Sequence, residues 1–235
     1  MSRTTYVTVT ATAAALIAGF AAWPRAEAPR LVNTAEATPA NAVASEPTPT
    51  VANSAANVRL RVATTGNEVR YRIREQLVRL PLPNDAIGKT GEVTGGLALS
   101  DDGRIVVAES KFVVNTASLT SDSDRRDGYV KRRVLEAEQF PTVEFVPTQV
   151  RGLPKQLPRS GTHTFDITGN LTARGITRPM TWRVTATPGA AEVRGRASTS
   201  FTFADFNITQ PRVPVVLSVA DTIKLEYDFN LSYSR

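Results

Sequence analysis

The chain has 235 residues and carries 28 Lys and Arg against 22 Asp and Glu, which gives a formal net charge of +6. It contains no cysteine, and this excludes a disulfide scaffold, a thiol nucleophile and a cysteine zinc site. The basic residues are spread along the sequence without interleaved aromatic residues, so the charge does not predict a nucleic-acid groove or a nucleic-acid partner.

Residues 1–28 predict a signal peptide or a membrane anchor. Arg3 precedes an uncharged run that extends to Trp23, and Ala26-Glu-Ala fits the small-x-small pattern of a cleavage site. The run approaches the ~20 residues of a membrane-spanning helix, so residues 5–23 also suit an uncleaved anchor. We therefore expect a periplasmic, extracellular or cell-surface protein, with cleavage and anchoring as open alternatives.

Residues 29–57 are rich in Ala, Pro and Thr and contain almost no large apolar side chain. Such a segment cannot bury enough surface to offset its conformational entropy, which predicts a disordered linker. Residues 58–235 remain, and this length is sufficient for one domain with its own core.

Alternation of apolar and polar residues predicts that the domain is all-β. Asn84, Asp85 and Gly88 indicate loops, and Gly95-Gly96 indicates a bulge. The predicted strands are residues 58–62, 69–74, 92–99, 104–119, 142–146, 162–173, 180–186, 192–199, 201–206 and 222–234. A change of parity near residues 109–111 indicates a bend or bulge within residues 104–119.

One helix interrupts this β pattern, at about residues 125–138. Asp122, Ser123 and Asp124 are suitable N-cap residues, and Pro141 marks the end because the residue before a proline avoids the helical region. A short charged helix in an otherwise all-β chain suggests a lid or a plug on a sheet or barrel. We therefore predict an antiparallel β-barrel of about eight strands with one short helix at the barrel mouth, because closure removes exposed strand edges.

Several motifs in this order and spacing resemble the YceI family, over roughly residues 69–233. The motifs are Ser118-Leu-Thr, Arg126-Asp127, Tyr129, Phe140-Pro141-x-x-Glu144-Phe145 and Gly169-x-Leu-Thr172-x-Arg-Gly175-x-Thr-Arg178-Pro179. The resemblance implies an elongated lipocalin-like barrel that is exported and binds a polyisoprenoid, a quinone or a similar amphiphile. It implies a binding protein that has no cofactor and is not an enzyme.

The inward-facing positions of the predicted strands define a candidate apolar lining. Gly169, Ala186, Gly195 and Ala197 fall on the same face, and their small side chains favour a cavity over a solid core, although apolar residues suit both. The lining comprises Phe145, Phe165, Ile167, Leu171, Trp182, Val184, Phe201, Leu217, Leu225, Tyr227 and Phe229. The mouth and helix residues are Arg126, Asp127, Tyr129, Val130 and Val134, with the Arg126-Asp127 pair tying the helix to the barrel.

No motif predicts a catalytic or metal site. His163 is the only histidine, and a single histidine at the start of a strand is more often a hydrogen-bonded surface residue than a base or ligand. Two functions compete: an exported lipid carrier, and a structural or interaction module with a filled barrel. An enzyme is a third hypothesis, because lipid binding and lipid chemistry can share one fold. The expected partners are a lipid ligand and, through the N-terminal segment, a membrane, with the chain as monomer or homodimer.

Overall fold

The computed structural model describes residues 56–154 and 156–234. The predicted signal peptide or anchor at residues 1–28 lies outside the described residues, and so does nearly all of the predicted linker. Among the helices that are described, none is long and apolar enough to cross a membrane.

The described residues form one antiparallel sheet of ten strands that closes on itself through pairing of its first and last strands. The strands are β1 (Val58–Val62), β2 (Glu68–Leu77), β3 (Asn84–Thr90), β4 (Val93–Leu99), β5 (Lys111–Asn115), β6 (Thr142–Arg151), β7 (His163–Ala173), β8 (Ile176–Pro188), β9 (Glu192–Thr202) and β10 (Val216–Ser234).

Ten strands give eight positions around the barrel because two pairs of strands each share one position. β1 and β2 follow one another along β10, where Val62 pairs with Leu231 and Glu68 pairs with Asp228. β4 and β3 pair with β1 and β2 in the same way. The prediction of an all-β antiparallel barrel of about eight strands with one short helix is confirmed.

The break between β1 and β2 is held by one side chain. Asn67 accepts hydrogen bonds from the Tyr227 hydroxyl at 2.8 Å and from the Asn230 backbone N–H at 3.0 Å. Its own amide donates to the carbonyl of Ala63 at 2.8 Å. These bonds satisfy polar groups that would otherwise be buried without partners where the ladder is interrupted.

The predicted helix is shorter than expected and has a different geometry. Helix α1 covers Asp124–Tyr129, and the Ser123 hydroxyl accepts from the Arg126 N–H at its start. A π turn, Val130–Val134, follows, in which the Leu135 N–H donates to the Val130 carbonyl at 2.8 Å. The chain then reverses at Glu136, whose φ is 50°, so a regular helix does not reach residue 138. We call residues 124–134 the lid.

Three other expectations about secondary structure are wrong. β3 is a strand although Asn84, Asp85 and Gly88 indicated a loop, because it pairs with β2 along its whole length. Residues 104–119 contain less strand than expected: a 3₁₀ turn at Val107–Glu109 lies next to the bend predicted at residues 109–111, and the short β5 follows it. Residues 203–206 form a 3₁₀ turn that buries Phe203 and Phe206.

The barrel interior holds two clusters of buried apolar side chains. One is centred on Leu60, Leu97 and Val184, and the other on Leu171, Phe203 and Phe206. The described residues thus close their own sheet and bury their own core, which is what a domain needs to fold alone.

Candidate functional site: a barrel interior in two chambers

A layer of large side chains, the waist, divides the interior of the barrel across its middle. The Phe145 and Trp182 ring centroids are 5.7 Å apart, and the Tyr227 ring lies 5.8 Å from Phe229 and 6.1 Å from Phe112. Phe145, together with Met180 and Leu225, packs against both core clusters. We define the waist as Phe112, Phe145, Met180, Trp182, Leu225, Tyr227 and Phe229.

Two glycines, Gly169 and Gly195, lie directly against rings of the waist, so the absence of their side chains leaves no empty space. A Cβ on Gly169 would lie 2.7 Å from Cζ of Phe145, and one on Gly195 would lie 2.5 Å from Cζ of Phe229. The expectation that these small residues leave room for a ligand is therefore wrong at both positions. The space they free is occupied by aromatic rings, and the interior is open only above and below the waist.

The lid-side chamber is a cavity of about 140 Å³ between the waist and the lid. Val69, Ile73 and Leu171 contribute to its walls, and no charged side chain lines it among the described residues. The Tyr71 phenol is one of its few polar groups, and burial raises the pKa of Tyr71 to about 12, so the hydroxyl stays protonated at neutral pH. This chamber offers dispersion contacts and apolar burial.

The lid covers this chamber with its apolar face and is held by polar contacts on its other side. Val130 and Val134 line the cavity. Arg126 donates to the Glu75 carboxylate of β2 at 2.9 Å, and Glu75 is almost completely buried. Asp127 accepts from the Ser121 N–H at 3.0 Å and from the Ser121 hydroxyl at 2.5 Å. The Arg126–Glu75 pair is the direct link between the lid and the barrel wall.

The far chamber is a larger cavity, of about 580 Å³, at the opposite end of the barrel. Its walls are apolar and include Leu60, Leu97, Leu99, Val150 and Phe165, whereas its rim carries Asp101, Gln156, Arg159 and His163. Its volume falls in the range of small-molecule sites, about 300–1,000 Å³. Apolar walls under a polar rim match the two ends of an amphiphile.

His163 takes part in this rim without the partners of a catalytic base. Its Nε2 lies 2.9 Å from the Ser160 carbonyl oxygen, so that nitrogen carries the proton and donates it. No carboxylate among the described residues is hydrogen-bonded to this ring.

The waist contains a buried polar group that has no partner among the described residues. The Trp182 Nε1–H donates to no acceptor there, and the side chain is 9 % exposed. An unsatisfied buried donor costs about 1–3 kcal/mol. The waist is therefore the part of the interior that would gain most from a hydrogen-bond acceptor.

The outer wall beside the lid-side half is held by a network of charges. Arg70 of β2 donates to Glu226 at 3.1 Å and to Asp228 at 2.6 Å on β10. The hydrogen bond from Lys224, helped by the one from Arg70, lowers the pKa of Glu226 to about 2 against the opposing effect of burial. The Arg residues that alternate along β2 thus hold this strand on the barrel.

The structure distributes ten of the eleven predicted lining residues over three locations. Leu171 and Phe201 line the lid-side chamber with Leu225, and Phe165 lines the far chamber. The others pack in the interior between the chambers: Phe145, Ile167, Trp182, Val184, Tyr227 and Phe229.

One predicted lining residue is misplaced. The side chain of Leu217 is 66 % exposed and lies outside the barrel. β10 contains register shifts between Val216 and Ser218 and between Val219 and Ile223, so the inward parity of its end does not extend back to Leu217. Of the predicted mouth residues, Arg126, Asp127, Val130 and Val134 make the contacts described above, and Tyr129 is half-buried in the lid.

The sequence prediction missed the part of the far chamber that the N-terminal strands supply. Leu60 of β1 and Leu97 and Leu99 of β4 are buried and line this chamber. Their period-two spacing is the same signal that identified the inward-facing residues of the strands from which the lining was predicted. Phe203 and Phe206 were also missed as lining, because a 3₁₀ turn presents them from one side and a strand pattern does not.

Comparison with known proteins agrees with this architecture. The model of the YceI-like domain family matches residues 52–231. A UPF0312 protein of Pseudomonas putida strain F1 is 32 % identical over 105 residues, which cover 42 % of this chain and 51 % of that protein. A UPF0312 protein of Enterobacter sp. strain 638 is 30 % identical over 120 residues, 48 % of this chain and 58 % of that protein. The chain thus spans about half the length of the curated relatives it matches.

Two solved structures share the fold at low sequence identity. A polyisoprenoid-binding domain from Saccharophagus degradans, implicated in plant cell wall breakdown, superposes with a TM-score of 0.56 at 12 % identity, over 77 % of this chain and 99 % of that domain. BcnA of Burkholderia cenocepacia superposes with a TM-score of 0.51 at 16 % identity, over 72 % and 96 % of the two chains. Because the family model matches most of the chain and the barrel is the one seen in these structures, this protein belongs to the YceI-like domain family.

Proposed function

We propose that the protein is an exported lipid-binding protein that holds a long isoprenoid or a similar amphiphilic chain inside its barrel, for transport or storage. The observation that carries this proposal is the two-chambered apolar interior, with a covered chamber at one end and a larger chamber with a polar rim at the other. The polyisoprenoid-binding domain from Saccharophagus degradans, which shares the fold, supports the same class of ligand.

The energetics favour a chain over a compact polar ligand. Each CH₂ group that leaves water contributes about 0.8 kcal/mol, so a long apolar tail binds well without a charged anchor. A chain that occupies both chambers must pass the waist, and the rings of Phe145 and Trp182 must then turn aside. Binding of a long chain should therefore change the surroundings of the waist rings, and this change can be measured.

Trp182 is the probe for this change, because Trp23 is the other tryptophan of the chain and lies outside the barrel domain. Residues 56–235 are titrated with a long prenyl alcohol or a prenyl quinone while the Trp182 emission and the melting temperature are followed. We expect a saturable change in emission and a melting temperature that rises with ligand concentration. An unchanged emission and melting temperature would contradict the proposal.

The competing function is an interaction module with a filled barrel, and one observation favours it. The rings of Phe145 and Phe229 fill the space at Gly169 and Gly195, so the centre of the barrel is packed. Under this alternative the waist is permanent and the titration gives no response. The interpretation as a binding protein is preferred over an enzyme because neither chamber brings together an activated nucleophile or a base among the residues that line them.

The proposal of export rests on the uncharged run before Trp23 and the Ala26-Glu-Ala pattern. Mass spectrometry of the protein recovered from fractionated cells tests it. A mature chain that begins after about residue 28 in the periplasm or medium indicates a cleaved signal. A full-length chain in the membrane fraction indicates an anchor at residues 5–23, and a full-length chain in the cytoplasm contradicts export.

A further inference from the structure

The exposed apolar side chains of the barrel are concentrated in one place. Among the described residues, seven large hydrophobic side chains are exposed, and five of them lie on two neighbouring segments, residues 77–83 and 211–217. We call these two segments the apolar tip. The five are Val78 (54 %), Leu80 (43 %), Leu82 (72 %), Val215 (56 %) and Leu217 (66 %).

The two segments form one surface beside the lid-side chamber. The Val78 N–H donates to the Val215 carbonyl at 3.1 Å, and Leu77 pairs with Val216. Pro211 of the tip also lines the lid-side chamber. Contiguous exposed apolar surface of this kind marks an interaction site more often than chance exposure does.

We infer that the apolar tip docks the barrel on the surface of an anionic lipid bilayer. Arg79 and Arg212 are exposed on the tip, and neither forms an ion pair with a described residue. The sequence of residues 77–83 and 211–217 contains no Asp or Glu. Branched aliphatic side chains bordered by unopposed cations match acyl chains beneath a layer of phosphate groups.

The backbone of the tip is suited to the interface between water and lipid. Four of its residues, Pro81, Pro83, Pro211 and Pro214, have no N–H that would lose its hydrogen bond to water. The Gln76 side chain donates to the carbonyls of Leu80 at 2.6 Å and Leu77 at 3.2 Å. The Leu80 N–H and the Val216 N–H donate within the tip itself. Fewer polar groups therefore have to be stripped of water when the tip inserts.

A protein partner fits the tip less well. The two segments contain no Trp, Tyr or Phe, and these aromatic residues are enriched at the centres of protein interfaces. The inference depends on the proposed function only for the lipid that a docked barrel would exchange with the bilayer, because the tip adjoins the covered chamber. Binding to vesicles can be measured whether or not the barrel holds a lipid.

The test is co-sedimentation of residues 56–235 with vesicles of phosphatidylcholine and phosphatidylglycerol, compared with phosphatidylcholine alone. This domain is used because the upstream apolar run would bind vesicles by itself. We expect the wild type to bind the anionic vesicles and L82D/L217D to lose about tenfold or more in partitioning. R79Q/R212Q should lose about tenfold on anionic vesicles and much less on neutral ones.

The control is V107D, which places a single aspartate at an apolar side chain that is 44 % exposed but lies outside the tip. It should bind vesicles as the wild type does. Circular dichroism and urea unfolding check that all variants are folded. We expect them to fold because the substituted side chains are exposed.

Three results would overturn the inference: no binding by the wild type, equal binding by L82D/L217D, or an equal loss in V107D. A tip-dependent shift in sedimentation equilibrium without vesicle binding would also overturn it, in favour of a second copy of the chain as the partner. Vesicle binding by a barrel that takes up no prenyl ligand would retain the inference and remove the proposed function. Prenyl uptake without vesicle binding would retain the proposed function and remove the inference.

Discussion

The lid-side chamber measures about 140 Å³ beneath the lid, whereas the far chamber measures about 580 Å³ beneath a rim that carries charged and polar side chains. β7 and β10 contribute apolar side chains to both core clusters. The difference therefore comes from the segments that close each end. The lid and the 3₁₀ turn at Phe203–Phe206 insert apolar side chains at one end, whereas the loops at the other end carry both polar and apolar side chains and leave a larger cavity. The pattern of the strands makes an apolar interior, and the connections decide how much of it stays open.

Breaking the waist should have the largest effect, because both chambers rest on it. W182A removes a side chain that is 9 % exposed and packs on Phe145. We expect it to lower the free energy of unfolding by about 3–5 kcal/mol, measured by urea denaturation. V107A, at an exposed position, is the control and should change stability by less than about 0.5 kcal/mol. A loss below about 1 kcal/mol in W182A would show that the waist is loosely packed.

Acid should weaken the wall of the lid-side half. The folded-state pKa of Glu226, about 2, lies below its unfolded value near 4.3. Its contribution is therefore complete above about pH 5 and is lost as the pH falls towards 2. E226Q should cost about 2 kcal/mol at pH 7 and should remove part of the acid dependence, measured by urea unfolding at a series of pH values. An unchanged pH dependence in E226Q would contradict this assignment.

A matched pair of substitutions separates the two chambers. Ala173 and Ala186 are both buried on the inward face, and they line the lid-side and the far chamber respectively. A173F overfills a small cavity and should cost about 1–3 kcal/mol, whereas A186F enters a roomy one and should cost less than about 1 kcal/mol. Thermal unfolding of both variants measures the difference. The reverse order of stability would show that the volumes of the chambers are misassigned.

The smallest expected effect concerns the lid. E75Q weakens the charge-assisted bond to Arg126 and should lower the stability of the lid by about 1–2 kcal/mol with little effect on the waist. Hydrogen exchange of residues 124–134 should become about tenfold faster, while exchange in β7 stays unchanged. E144Q, which removes the exposed Lys111–Glu144 pair, is the control and should leave the lid unchanged. Uniform acceleration across the barrel in E75Q would contradict a local link.

The sequence sufficed for the barrel and for most of the apolar interior, because period-two alternation in β7 and β10 reports directly which side chains face inward. It failed where tertiary pairing or irregular backbone decides the outcome. Asn84, Asp85 and Gly88 disfavour a strand locally, yet β2 holds them in β3. The register shifts in β10 place Leu217 outside, and the π turn that ends the lid has no clear sequence signal.

The division into two chambers could not be derived from the sequence either. When only the inward or outward parity of each strand residue is considered, Gly169 and Gly195 predict space for a ligand. The rings that fill this space, Phe145 and Phe229, come from β6 and β10, so their position depends on the strand order around the barrel. A polar rim formed by loops is likewise defined only once the fold brings Asp101 and His163 to the same end.

The most direct test of the central claim is native mass spectrometry of residues 56–235 purified without detergent from a bacterial host, followed by organic extraction. The two-chambered interior predicts one long-chain isoprenoid or quinone per barrel, released on unfolding. A mass equal to that of the chain alone, with no shift when prenyl chains are added, would contradict the claim and favour a packed interaction module.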